Sequence, residues 1–342
     1  MDKSRFRVRS VDVARLAGVS RSAVSRAFTP GAYVSPDTRK KVLEAAAALG
    51  YQPNALARSL ITRRTGIIGI VSTDLDNPFY AVLLQDLSKR LQSEGLAPLL
   101  LFGDETSTDR QITQLLSYQV DALVLTNATL SSAMAARCAR VEKPILAINR
   151  YMAQQEITSI TCDNQGSAAA VADHLVSLDC ERIAFVAGKP DASSSRDREA
   201  GFLRRLGQLG RAVVAVDSGD YHHLGGVEAA RRILTDPGRP DAVFCANDMM
   251  AFGLMDAARD EFGLRIPEDL KVCGFDNSTL AGWSSYKLTS VDQNVEGMID
   301  AGVKHIIACI SGERPTIRHL EIPGRLVVRE STVKGPGSDL WD

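Results

Sequence analysis

The chain has 342 residues, 45% apolar and 24% charged, which is ordinary globular composition and long enough for two or three domains of roughly 100–200 residues each. Its formal net charge of −1 conceals a split: residues 1–64 hold 13 Lys+Arg against 4 Asp+Glu, and the remaining 278 hold 27 against 37. The longest apolar run, around Leu96 to Phe102, falls far short of the roughly 20 residues of a membrane span, and Met1 to Arg7 lacks the apolar stretch of a secretory signal, so no membrane contact and a cytoplasmic location are expected.

The basic head is patterned. Over residues 10–28, Val11, Ala14 and Ala17 share one helical face, Gly18 permits the left-handed backbone of a sharp turn, and Ser20 suits the N-cap of a second helix. On that second helix Ala23, Val24, Ala27 and Phe28 form the inward stripe, while Arg21, Ser22, Ser25 and Arg26 fall on the opposite side. A short turn between two helices is helix-turn-helix geometry, in which the second helix enters the DNA major groove. A third helix is predicted from the Ser35 cap and Pro36 to Gly50, with Val42, Leu43, Ala46, Ala47 and Leu49 inward. Arg39, Lys40 and Lys41 suit phosphate contact.

The run Asp12-Val13-Ala14-x-x-Ala17-Gly18-Val19-Ser20-x-x-Ala23-Val24-Ser25-Arg26 resembles the DNA-binding head of the lactose-repressor (LacI/GalR) family. Gly50-Tyr51-x-Pro53-Asn54-Ala55-x-Ala57-Arg58-Ser59-Leu60 is similar to that family's hinge helix. The resemblance implies that two hinge helices meet in the minor groove of the operator and that Leu60 wedges into the central base step. It implies DNA contacts from Ser20, Arg21, Ser22, Ser25, Arg26, Asn54, Ala57 and Leu60. Arg21 and Ser22 stand where family members differ in choosing operators, and an Arg there pairs well with guanine.

Residues 61–66 read as a polar junction. From Ile67 short apolar runs alternate with amphipathic stretches: strands at 67–71, 97–102, 121–125 and 144–148, with helices near 78–94, 107–118 and 131–141. The plan restarts with strands at 182–187, 211–216, 241–245 and 270–274, and helices at 195–209, 224–235 and 247–262. The fold class is therefore α/β: a small all-α head and two tandem doubly wound parallel-sheet subdomains, resembling periplasmic binding proteins. Expected domains are a head at 1–50, hinge and linker at 51–65, an N-terminal subdomain at 66–162 with 294–322, and a C-terminal subdomain at 163–293 with 323–342. Crossovers are expected near 162–165, 290–294 and 322–326. Residues 315–332 resemble the family's closing strand, and the tail lacks a heptad repeat, which disfavours a coiled-coil tetramerisation helix.

Such paired sheets offer a cleft near strand C-terminal ends. Asn77, Phe79 and Tyr80 follow the first strand of the body; they read either as a helix entry with Phe79 in the core or as pocket lining with an aromatic stacked on a ligand. The resemblance adds Arg198, Asn247-Asp248 and Asp276 as ligand contacts. Arg150, directly after the 144–148 strand, adds positive charge there, and Tyr221, Asp163-Asn164 and Gln293 are weaker candidates near the crossovers or cleft mouth. Arginine, carboxylate and amide groups beside an aromatic ring suit a polyol, so a sugar-like effector is expected.

Six cysteines (Cys138, Cys162, Cys180, Cys245, Cys273 and Cys309) are widely spaced without a Cys-x-x-Cys pair and read as free thiols in a core. No nucleophile-elbow, zinc-protease or phosphate-loop motif occurs, and His222-His223 lacks a ligand-spaced partner, so neither catalysis, metal nor cofactor is expected. The reading favours a homodimeric DNA-binding regulator of a pseudo-palindromic operator. A transport-type sugar receptor and an enzyme with a regulatory head are the competing classes.

Overall fold

The computed structural model describes residues 8–28, 31–52, 64–103, 106–128, 131–153, 157–235 and 238–333. The chain divides into two compact units, Met1–Thr65 and Gly66–Asp342.

In the head, α1 (Ser10–Ala17), α2 (Arg21–Ala27) and α3 (Pro36–Leu49) form the three predicted helices. Gly18 turns the chain at φ 65°, and Gly50 closes α3 at φ 63°. The hydroxyls of Ser20 and Ser35 accept from the amides of Ala23 and Thr38, each at 3.2 Å, so both caps form as read. The core comprises Val13, Ala14, Val24, Ala27, Val42, Ala45 and Ala46.

Two details differ from the sequence reading. Val13 rather than Val11 is the fully buried residue of α1, and on α3 Leu43 is 46% exposed and Ala47 exposed while Ala45 is buried. The contacting stripe runs through positions 42, 45 and 46, and neighbours one residue on are rotated by about 100° away from it. Small Ala45 and Ala46 face the other helices, and the larger Leu43 points outward. Arg39 is also reassigned. Its guanidinium donates to the carbonyls of Ala27, at 2.5 Å, and Ala32, at 3.2 Å, tying the end of α2 and the following loop to α3 instead of facing a phosphate. Lys40 is exposed, and Lys41 pairs with Asp37 at 2.7 Å.

The body contains two six-stranded sheets. The first uses β1 (Ile67–Ser72), β2 (Ala97–Phe102), β3 (Ala122–Leu125), β4 (Ile145–Ile148), β5 (Ile157–Cys162) and, returning late, β11 (His319–Ile322), in the order β11-β5-β4-β3-β1-β2. Between them run α4 (Pro78–Ser93), α5 (Thr108–Ser117) and α6 (Ser132–Arg140). The second half comprises α7 (Asn164–Ser177), β6 (Ile183–Ala187), α8 (Ser193–Gln208), β7 (Val213–Ser218), α9 (His223–Ile233), β8 (Ala242–Cys245), α10 (Asp248–Asp260), β9 (Lys271–Asp276) and β10 (Thr289–Asp292). With β12 (Arg325–Val327) its strands order as β12-β10-β9-β8-β6-β7, and α11 (Val295–Ile310) leads back to the first sheet. Pairing is parallel except where β12 runs antiparallel to β10.

Helices cover both faces of each sheet, which is why its strands read as nearly unbroken apolar runs. Ile68, Ile70, Val124 and Ile148 pack with Leu83 and Leu87 of α4 and Val303 of α11; Val71, Leu123 and Leu125 pack oppositely with Ile112 of α5 and Cys138 of α6. In the second sheet the rings of Phe185, Phe202 and Phe244 lie 4.9–5.8 Å apart. Helices α7 and α8 approach so closely at Gly201 that an added Cβ would lie 2.3 Å from the carbonyl oxygen of Gln165.

The elements β5, α7, β10 and α11 are absent from the sequence reading. β5 is fully buried despite its polar residues, because Thr158 donates to the Ile317 carbonyl, Ser159 accepts from the Met152 amide, and Thr161 pairs with His319. Residues 315–332 form two short strands in different sheets instead of one closing strand. The chain passes between sheets at Asp163, at Gln293-Asn294 and at Pro323-Gly324. Cys138, Cys162, Cys180, Cys245 and Cys273 are buried free thiols, and Cys309 is half-buried. Burial pushes the Cys162 and Cys180 thiols up to about 11.

Candidate effector cleft and DNA-facing helix

Loops beyond the C-terminal ends of β1, β3, β4, β6, β7 and β8, together with the end of β9, enclose a cavity of about 390 Å³. Strand ends in open α/β sheets present unpaired backbone groups and short polar side chains, which suits ligand contact. Asn77, Phe79, Tyr80, Arg150, Arg198, Tyr221, Asn247 and Asp276 all border this one cavity.

Arg198, on α8, is only 2% exposed and is held on several sides. Its Nε donates to Asn164 Oδ1 at 2.8 Å, one terminal nitrogen donates to the Ala246 carbonyl at 2.6 Å, and Asp276 Oδ1 lies 3.8 Å away. Its guanidinium carbon sits 3.7 Å over the Phe275 ring. A buried cation with this many partners is fixed in position.

Asp276 accepts from Gln293 Nε2 at 2.6 Å and from Asn77 Nδ2 at 3.3 Å. Asn77 belongs to the loop after β1, so this contact joins a loop of the first sheet to the end of β9 in the second. Burial pushes the Asp276 carboxyl up to about 7, against the opposing pull of Arg198, and the Asp248 carboxyl adds to the rise. The Tyr80 phenol is likewise raised by burial, with Arg150 acting the other way. Asn247 caps α10 by accepting from the Met250 amide at 2.9 Å and donates to the Tyr221 carbonyl at 3.0 Å. The Tyr221 hydroxyl meets Ser194 Oγ at 3.0 Å.

Several expected roles shift. Phe79 is 3% exposed and packs into the core beneath the first sheet, its ring edge-on to Tyr80 at 5.2 Å; Tyr80 is the half-buried aromatic of this pair. Asp248 does not border the cavity: fully buried, it accepts from the Ser278 amide at 2.7 Å and the Ser290 hydroxyl at 2.5 Å. Asp163 caps α7, while Asn164 and Gln293 act on the cleft indirectly by holding Arg198 and Asp276. His223 pairs with Asp256 at 2.9 Å and His222 borders the cavity. Among the described residues no His/Cys/Asp/Glu group is arranged to hold a metal.

The sequence reading missed Thr73, Asn127, Asn149, Lys189 and Ser194, which also border the cavity. Asn127 Oδ1 accepts from the Thr73 amide at 2.8 Å, bridging the loops after β1 and β3. The available signal was positional: each is a polar residue just past a strand or at a helix entry.

In the head, Arg21, Ser22, Ser25 and Arg26 are all exposed on α2. Asn54, Ala57 and Leu60 of the expected hinge lie outside the described residues. Among the described residues no helix is long and apolar enough to cross a membrane.

Residues 11–54 match the family described as bacterial regulatory proteins, lacI family, and residues 172–332 match the periplasmic binding protein-like domain. The ribose operon repressor of Halalkalibacterium halodurans is 31% identical over 96% of this chain and 98% of its own. Catabolite control protein A of Priestia megaterium is 29% identical over 94% and 98%. A crystal structure of the lac repressor dimer bound to operator and the anti-inducer ONPF superposes with a TM-score of 0.85 at 27% identity, covering 95% of this chain and 99% of that one. The transcriptional regulator CelR in complex with cellobiose gives 0.72 at 30% identity, covering 95% and 100%. The chain belongs to the LacI family of bacterial regulatory proteins.

Proposed function

We propose that this protein is a sequence-specific transcriptional repressor whose hold on a pseudo-palindromic operator is set by a small molecule, a sugar or sugar derivative, in the body's cleft. The observation that carries it is the union, on one chain, of a capped helix-turn-helix with an exposed Arg21/Ser22/Ser25/Arg26 face and a polar cavity at converging strand ends. The protein acts as a homodimer in the cytoplasm and is not an enzyme. Residues 1–50 serve as the reading head and 51–65 as hinge and linker; 66–162 with 294–322 and 163–293 with 323–342 form the two effector-binding subdomains.

In this reading α2 lies in the major groove, with Arg21 at a base edge, and Ser20 holds the helix N-terminus in shape. Asn54, Ala57 and Leu60 contact the minor groove, Leu60 as the wedge. Asn77, Tyr80, Arg150, Arg198, Tyr221, Asn247 and Asp276 contact the effector, and Phe79 backs Tyr80. A ligand that favours one arrangement of the two subdomains shifts the population competent to bind operator, and by linkage the operator shifts ligand affinity equally. The acidic body disfavours approach to DNA other than through the head.

Deleting residues 1–64 is expected to abolish operator binding while a bound sugar still raises the melting temperature of the remainder. Operator binding that survives this deletion sinks the assignment. Leu60→Ala is expected to weaken operator binding together with the operator's bend; an unchanged bend removes the wedge.

A further inference from the structure

Arg150 stands apart from Arg198. It follows β4 directly, is 8% exposed, and borders the cavity. Arg198 is tied by two hydrogen bonds, an aspartate and an aromatic face. Among the described residues nothing hydrogen-bonds to or ion-pairs with the Arg150 guanidinium. An arginine drawn into a site without a counter-charge loses hydration with nothing to compensate it, so its retention at a ligand site points to a counter-charge brought by the ligand.

The wall around Arg150 is built in the same sense. The Tyr151 amide donates to Ser193 Oγ at 3.0 Å, joining the loop after β4 to the first residue of α8, at the end of the loop that leaves β6. That second loop carries Lys189, which borders the same cavity, as does His222 beyond β7. Of the three carboxylates that border the cavity, Asp276 and Asp74 are engaged elsewhere and Asp76 makes no ion pair with Arg150. Asp276 is engaged with Arg198, Asn77 and Gln293, and Asp74 Oδ1 accepts from the amides of Asp76 and Asn77. Asp76 is exposed.

We propose that the effector is an acidic polyol, whose carboxylate or phosphate oxygens pair with the Arg150 guanidinium while its hydroxyls meet Asn77, Asn247 and Asp276. This rests on the effector-site reading above and narrows it from sugars in general to those carrying an anionic group. A planar guanidinium matches two oxygens of a carboxylate or phosphate at once.

The test uses the full chain and its melting temperature. The small-molecule fraction of a bacterial extract is split on an anion-exchange column into retained acids and unretained neutral and basic compounds. Alongside are run glucuronate, galacturonate, gluconate and glucose 6-phosphate, with glucose, galactose and inorganic phosphate as controls. The expected result is a rise with the retained fraction and not with the flow-through. Loss of that rise after phosphatase treatment identifies a phosphate ester, and its persistence a carboxylate. For an acid that binds, Arg150→Gln is expected to weaken affinity about 10- to 100-fold, as for loss of a charge-assisted hydrogen bond, and Arg150→Lys to recover part of it. Unliganded melting of both variants separates this loss from misfolding. A rise only with the flow-through, or unchanged acid affinity in Arg150→Gln, overturns the anionic proposal and leaves the effector site standing. No rise with either fraction overturns both.

Discussion

Gly201 offers a sharp test of how packing places the cleft's arginine. A Cβ there would lie 2.3, 2.6 and 2.8 Å from the Gln165 carbonyl oxygen, Cα and carbonyl carbon, all backbone atoms of α7. A flexible side chain could swing aside, but backbone can yield only if the helices separate. Overpacking of a well-filled interior costs typically about 1–3 kcal/mol, and a backbone-on-backbone clash belongs at or above the top of that range. For a domain of this size each kcal/mol moves the melting temperature by roughly 2–4 °C, so Gly201→Ala should melt about 6–12 °C lower. Gly207, six residues further along α8, is exposed and has nothing within 4 Å of a built Cβ. Gly207→Ala should therefore stabilise by about 0.4–1 kcal/mol through helix propensity and a restricted unfolded chain. Because Arg198 sits one helical turn before Gly201 and bonds to Asn164 at the start of α7, the same separation should weaken effector binding in Gly201→Ala only. Scanning calorimetry and ligand titration on both variants decide the matter. A Gly201→Ala protein that melts with its parent refutes the reasoning.

Two further outcomes are expected. Asp276 titrates at about 7 when folded and at its ordinary 3.8 when unfolded, so the folded state holds the extra proton between these values. The cost of its ionisation is absent below the lower value, grows as pH rises and is complete above the upper one, with a slope of at most about 1.4 kcal/mol per pH unit. Asp276→Asn should therefore flatten the fall of urea-unfolding stability across that window, and parallel slopes in variant and parent would exclude the effect. In the head, Arg39→Ala should destabilise by about 1–3 kcal/mol through loss of two bonds to carbonyls, whereas exposed Lys40→Ala should stay within about 0.5 kcal/mol. Hydrogen exchange of α2 and α3 amides reports on this region separately from the body; equal protection in the two variants would return Arg39 to the phosphate role.

Local chemistry is readable along the chain. Ser20 and Ser35 cap their helices, Gly18 and Gly50 turn them, and the first four body strands fall within a residue or so of their apolar runs. Each of these depends on neighbours a few positions away, and that information is written along the chain. Of the eight cleft residues, Arg198, Asn247 and Asp276 were legible because a known family marks their positions, and the other five through their place near strand ends; composition alone leaves Arg198 and Asp276 as a surface arginine and a turn-forming aspartate.

Other features depend on residues far apart in the chain. Strand β5 looks too polar for a core until Thr158 and Thr161 meet partners some 158 residues away, at Ile317 and His319. Arg39 reads as a phosphate contact until Ala27 and Ala32 are placed beside it, and Asp248 as a ligand contact until Ser278 and Ser290 enclose it. The contrast between a satisfied Arg198 and an unpaired Arg150 has no trace in the sequence, where both are arginines near apolar runs. Burial and partnership are properties of segments brought together from distant positions, and a charge takes its meaning from what surrounds it in space.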